Sequence, residues 1–189
     1  MWLCKEKGEG SRVKGEGKFP LPFTLYLLPL LLLFSCGFEL RGDPAVGIRS
    51  LSVSQVGASQ VAAEIRRSVS AGSTKLIAVP GEAEAHLSVL GETREKTVFT
   101  LTGAGRVYEY QLRLAVRYQL TVPGREEPAI MPMEIEARRL ITYVESAPIA
   151  KEAEEQLLYK DMQVDIASRI LRQVAVARRE SPAAFAAPR

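Results

Sequence analysis

The chain has 189 residues, room for one ordinary domain and an export signal but not comfortably for two domains. Its 47% apolar and 25% charged residues supply a buried core and speak against wholesale disorder. Residues 1–35 carry five Lys/Arg against three Glu, leaving 20 basic against 19 acidic residues from Cys36 onward, so there is no polybasic footprint for nucleic acid.

Residues 1–35 read as a signal peptide. Lys14 and Lys18 precede an apolar run of Leu21, Leu27, Leu28 and Leu30 to Phe34, interrupted by Pro22 and Pro29. The run is shorter than the roughly 20 residues a membrane-spanning helix needs, and its prolines weaken that reading further. Residues 1–13 make an unusually long preface to the basic region, as expected of a start codon placed too early. Leu33-Phe34-Ser35-Cys36 resembles a bacterial lipobox, with Phe34 bulkier than that pattern prefers. Cys36 is therefore expected to be the lipid-attachment site. The plainer alternative makes it a small buried hydrophobe near the end of an ordinary signal peptide. Gly37 is not the Asp that retains lipoproteins in the inner membrane, which points to the outer membrane. Cys4 would leave with the signal, so the mature chain forms no intramolecular disulfide.

The mature chain, 36–178, reads as a single domain. Phe38 and Leu40 alternate with charges in a short strand, and residues 48–53 continue extended. Ala58, Val61, Ala62, Ile65 and Val69 recur at helical spacing, and 75–79 is a brief strand. Ala83, Ala85, Leu87 and Val89 alternate with Glu82, Glu84, His86 and Ser88 in a half-buried strand that bends at Gly91 and runs on to Thr102. After a Gly103-Ala104-Gly105 hairpin loop comes the clearest pattern. Tyr108, Tyr110, Leu112, Leu114, Val116, Tyr118, Leu120 and Val122 share one face, against Glu109, Gln111, Arg113 and Arg117 on the other. Pro123-Gly124 turns into a strand with Ala129, Met131, Met133, Ile135, Ala137 and Ile141 on its apolar side and Glu134, Glu136 and Arg138 facing away. A helix over 150–178, about 43 Å long, shows a stripe of Ala153, Leu157, Val164, Ala167, Ile170, Leu171 and Val174. The tail, 179–189, is expected to be disordered. The element order predicts an α+β, two-layer sandwich: an approximately four-stranded, largely antiparallel (mixed) sheet with two helices on one face.

Catalytic chemistry finds little to stand on. His86 is the only histidine and sits on the polar side of a strand, so neither a triad nor a histidine-rich metal site can be built around it. There is no phosphate-binding glycine loop, and no cofactor or metal is implied. The chain reads as a non-enzyme. What remains is charge: Arg94, Lys96 and Arg106 gather near the ends of the central hairpin, and Arg113, Arg117 and Arg138 project from strand faces. Such arginines could grip a phosphorylated amphiphile. They could equally pair with Glu109, Glu134 and Glu136 across strands.

Several short words in fixed order resemble one family. Cys36-Gly37-Phe38-Glu39-Leu40-Arg41-Gly42, Tyr108-Glu109-Tyr110-Gln111, Val122-Pro123-Gly124-Arg125, and Ala150-Lys151 followed by Glu154-Glu155-Gln156 and Lys160-Asp161-Met162 are similar to the LPS-assembly lipoprotein family LptE. The resemblance covers about residues 33–175. It implies a protein that plugs the outer-membrane barrel LptD, assists its assembly, helps deliver lipopolysaccharide to the outer leaflet, and binds lipopolysaccharide itself. The family's basic lipid-binding residues lie near the central hairpin loop and on the following strand; Arg106 and Arg138 are the nearest counterparts. The alternative is a free periplasm-facing lipoprotein that binds an amphiphile without a barrel.

Arg139 falls on the apolar side of its strand, where an unpaired charge is expensive. A bulge at Arg138-Arg139 would turn both guanidinium groups outward and Leu140 inward. Otherwise Arg139 snorkels from the sheet edge toward a lipid phosphate or the barrel wall. The outward reading adds Arg139 to Arg94, Lys96, Arg106 and Arg138 as expected lipopolysaccharide contacts.

Overall fold

The computed structural model describes residues 46–182, apart from 145 and 147, together with Phe185. Cys36 and the strand expected around residue 40 lie outside them. Five strands form one sheet: β1 (Ser50–Gln55), β2 (Lys75–Leu76), β3 (Ala85–Leu101), β4 (Val107–Thr121) and β5 (Ile130–Thr142), in the order β2-β1-β3-β4-β5. β2, β1 and β3 run parallel, while β3, β4 and β5 form an antiparallel meander. Two helices, α1 (Gln60–Ala71) and α2 (Pro148–Glu180), contribute to a single apolar cluster with one face of the sheet. The mixed α+β architecture is the one expected; the fifth strand is the two-residue β2.

The turns follow their chemistry. Arg125 N donates to Val122 O at 3.2 Å across Pro123-Gly124, and Gly124 has φ +82°, the left-handed value a type II turn needs at that position. In the β3–β4 hairpin Gly105 (φ +75°) lets its N–H reach Thr102 O at 2.9 Å.

The core face is built from Leu51 of β1, Ala85, Leu87 and Val89 of β3, and Leu112, Leu114, Val116, Tyr118 and Leu120 of β4. Between Val89 and Gly91 the β3–β4 register slips by one residue. That bulge exchanges the faces of β3: odd-numbered residues meet the helices before it, and Glu92, Arg94 and Lys96 do so after it, opposite Val116, Leu114 and Leu112. α1 starts on Ser59, whose Oγ accepts from Ala62 N at 3.0 Å.

Three expectations change. The buried side of α2 is Tyr159, Met162, Ile166, Ala167, Ile170, Leu171 and Val174, whereas Leu157 is 67% exposed and Ala153 and Val164 are exposed with it. Among the described residues nothing covers that side in the first half of α2. On β5, Met131 and Met133 are exposed: a bulge between the Tyr118 and Leu120 pairings takes Met131 off the core parity, and Met133, opposite Tyr118 in the regular register, lies on the edge strand of the sheet. In the tail, Phe185 is 2% exposed, with Arg178 stacked 5.5 Å from its ring centre.

Leu114, fully buried at the sheet centre, is expected to tolerate no charge: Leu114→Asp should lower stability by at least about 4 kcal/mol. Phe185→Ala should cost about 3 kcal/mol through the cavity it leaves. Thermal unfolding checks both; an unchanged melting temperature for Leu114→Asp would refute the face assignment, and for Phe185→Ala the anchoring of the tail.

Candidate functional site

The basic residues singled out in the sequence separate onto two faces and a tip. Arg94 and Lys96 lie on the helix side. Lys96 Nζ sits 2.6 Å from Glu155 Oε2 and 4.6 Å from the centre of the Tyr110 ring. Its hydrogen bond to Glu155 raises its pKa above the ordinary lysine value. Arg94 reaches Glu92 at 3.2 Å and stacks 5.4 Å from the Tyr159 ring centre. Arg106 is at the hairpin turn, its N–H donating to Thr102 Oγ1 at 3.1 Å.

Arg138 and Arg139 do not form the outward bulge. Their pairings with Arg113 and Leu112 are in unbroken register, and Leu140 is exposed rather than turned in. Arg139 therefore points toward α2, where its Nη2 lies 2.9 Å from Asp161 and 3.7 Å from Asp165. A carboxylate supplied by the helix meets the need for a partner that the apolar parity of Arg139 created. No local pattern could show it, because Arg139 and Asp161 are 22 residues apart.

The opposite, open face carries a second network. Arg113 donates to Glu136 at 2.6 Å, Glu134 at 2.9 Å and Glu95 at 3.2 Å, and Arg138 reaches Glu136 at 2.6 Å. Cross-strand pairing is thus the state of Arg113, whereas Arg138 pairs along its own strand with Glu136, and Glu109 accepts from Thr100 Oγ1 instead. Held by Arg113, the Glu136 carboxyl titrates below its ordinary value, and the Arg113 guanidinium is raised in turn.

The site that sequence reasoning missed is where these elements end together. A cavity of about 150 Å³ opens beside the start of α2, lined by Lys96, Tyr110, Ile141, Tyr143, Lys151 and Glu155 among others. Tyr110 and Tyr143 meet edge to face at 5.6 Å. Just beyond it, Val98, Phe99, Leu101 and Tyr108 on the hairpin arms are each about half exposed. An apolar tip beside two ammonium groups suits a molecule with acyl chains and anionic groups. The sequence had signalled Lys96 near the hairpin end and the aromatic words around Tyr108 and Tyr110, but not the part of α2 that completes the site, since Lys96 and Glu155 are 59 residues apart.

His86 has Nε2 3.1 Å from Ser54 Oγ, but its Nδ1 is buried with no hydrogen-bond partner, so the pair lacks the orienting acid of a triad. Burial lowers the His86 pKa. Among the described residues no cluster of side chains is placed to hold a metal ion.

The sheet, its two helices on one face and its charged surfaces define a mixed α+β module of the kind found in bacterial lipoproteins. Structures similar to it include the solution structure of uncharacterized lipoprotein B from Nitrosomonas europaea, with TM-score 0.64 and 28% identity over 77% of this chain and 93% of that one. The rare lipoprotein B of Shewanella oneidensis gives TM-score 0.63 and 25% identity over 70% and 98%. The family model described as LptE, Lipopolysaccharide-assembly, matches residues 48–174, and the chain belongs to the LptE family. The LPS-assembly lipoprotein LptE of Pectobacterium atrosepticum is 24% identical over 80% of this chain and 84% of its own length, and that of Yersinia enterocolitica 26% over 79% and 72%.

The open-face network has a pH signature. Because the Glu136 pKa is depressed in the folded state, its contribution is fully present above the ordinary value of 4.5 and is lost as pH falls through the lower folded value. Acid unfolding of Arg113→Ala should lack that part of the pH dependence below 4.5. Curves of identical shape for the wild type and the variant would show that the network adds nothing.

Proposed function

We propose that the chain is an outer-membrane lipoprotein, anchored through Cys36, that plugs the LPS-assembly barrel LptD, assists its assembly and helps pass lipopolysaccharide to the outer leaflet. The role is one of binding and scaffolding, without catalysis. Family membership over residues 48–174 and relatives named LPS-assembly lipoproteins support the lipopolysaccharide part of the reading. The single structural observation that favours it is the hairpin end, where half-exposed Val98, Phe99, Leu101 and Tyr108 adjoin Lys96 and Lys151.

Acyl chains would rest on the apolar arms while phosphates take the cations. Arg106, on the turn between those arms, belongs to the same surface. Arg94, Arg138 and Arg139 remain proposed contacts that would have to exchange Glu92, Glu136 and Asp161 for a phosphate. For Arg138 and Arg139 such exchange is energetically accessible because exposed ion pairs are worth only about 0–1 kcal/mol.

Two experiments test the reading. Detergent-solubilised membranes should yield the chain with a stoichiometric barrel of much larger mass; the chain purifying alone would favour a free amphiphile-binding lipoprotein. Metabolic labelling with a fatty acid should mark the wild type and spare Cys36→Ala, and equal labelling would remove the anchor from the account.

A further inference from the structure

The strand β5 lies at one edge of the sheet, with no strand on its outer side among the described residues. Tyr143 N donates to Tyr108 O at 2.8 Å, so these opposed residues form a hydrogen-bonded pair. Such pairs alternate along an antiparallel ladder, and the β4–β5 register is unbroken from Met133 to Thr142. Odd-numbered residues of that stretch therefore bond to β4. Glu134, Glu136, Arg138 and Leu140 direct their N–H and C=O groups away from the sheet. Pro132, which has no N–H, ends the run. Arg139 Nη1 donates to one of these outward carbonyls, that of Arg138, at 3.0 Å. The four even-numbered side chains stand on the open face, since Arg138 opposes Arg113 and Glu136 opposes Ala115.

The outward series Glu, Glu, Arg, Leu is self-complementary. Turned antiparallel about a two-fold axis through Ala137, it sets each Glu136 against Arg138 of the other copy. Moving the register by two residues one way opposes Arg138 with itself; the other way sets Glu134 against Arg138 but opposes Glu136 with itself, so the register centred on Ala137 is the one of the three without like charges directly opposite. A shift by one residue brings outward-directed groups against inward-directed ones and leaves no ladder. The residue on the axis is an alanine, small enough for two strands to approach.

We propose that β5 pairs with β5 of a second copy of this chain in the register centred on Ala137, making one continuous ten-stranded sheet from two five-stranded ones. The two-fold axis stands perpendicular to the sheet, so both α2 helices stay on the same side. A contact made mainly by two strand edges is small beside the roughly 1,200–2,000 Å² of stable interfaces, so the dimer is weak and concentration-dependent. Anchoring on one membrane would raise the effective concentration. The inference does not rest on the barrel reading.

Light scattering of the full, detergent-solubilised chain across a concentration series tests it. The wild type should pass from the mass of one chain to that of two. Arg138→Glu and Glu136→Arg should each weaken the dimer by roughly tenfold or more, because two opposite-charge pairs become two like-charge pairs. The double reversal Glu136→Arg with Arg138→Glu should restore it. Glu136→Arg sets a cation beside Arg113 and could unfold the chain; Arg138→Glu places a carboxylate opposite Arg113, so its comparison stands even if the other variant fails to fold. A wild type of single-chain mass at every concentration, or an Arg138→Glu variant that dimerises equally well, overturns the proposal. If the reversals leave the mass at one chain yet reduce co-purification of a barrel, the edge receives a barrel strand instead and self-pairing is wrong.

Discussion

The Glu92 carboxylate ties the two halves of the fold together. It is turned to the helix side by the bulge in β3, where Oε2 accepts from Val61 N at 3.0 Å and from Ser59 Oγ at 2.8 Å. A negative charge at a helix N-terminus answers both the unpaired amides and the helix dipole. Its other oxygen holds Arg94, which stacks on Tyr159, and Tyr159 in turn donates to Glu95 O at 3.0 Å. α1, the bend of β3 and α2 are therefore positioned by one chain of contacts. The side chain of Glu92 is 5% exposed, so the network operates with little competition from water.

How far the sequence could be read depended on contrast between faces. In β4 the apolar and polar sides differ at nearly every step, and its assignment stands from Leu112 to Leu120. Past Gly91 the two sides of β3 read Glu92, Arg94, Lys96 and Thr93, Glu95, Thr97, both polar, so an exchange of faces leaves no trace in the pattern. The same limit governs the surface. Charges on strands were legible as charges, but which partner each takes is decided by α2 or by the register of neighbouring strands. Arg139 looked like an anomaly in need of a bulge only because Asp161 belonged, in the sequence, to a different element.

The two ionic surfaces differ in kind. On the open face Arg113 of β4 is shared among three carboxylates of its two neighbouring strands, so the pairs brace the sheet against shear. On the helix side Lys96 and Arg94 are each held by one carboxylate beside an aromatic ring, Lys96 on Tyr110 and Arg94 on Tyr159. The single pair of the more exposed Lys96 exchanges partners more readily than a shared one, which makes the helix-side end of the hairpin the more adaptable surface.

The topology also sets an order of assembly. β3, β4 and β5 follow one another through short turns, so each pairing closes a small loop. β1 must wait for a strand about 34 residues away, as the Ser54 to Ser88 contact records, and the parallel pairing encloses α1 and β2 within that interval. Loop-closure entropy favours the meander first, with α2 able to dock on it as soon as it forms. Until β1 arrives, the inner edge of β3 is an open template and Val46, Ile48 and Leu51 have no cover. For a chain that emerges N-terminus first, the earliest segment made is then among the last to be buried, and that interval is when it is most exposed to proteases and to other unfolded chains.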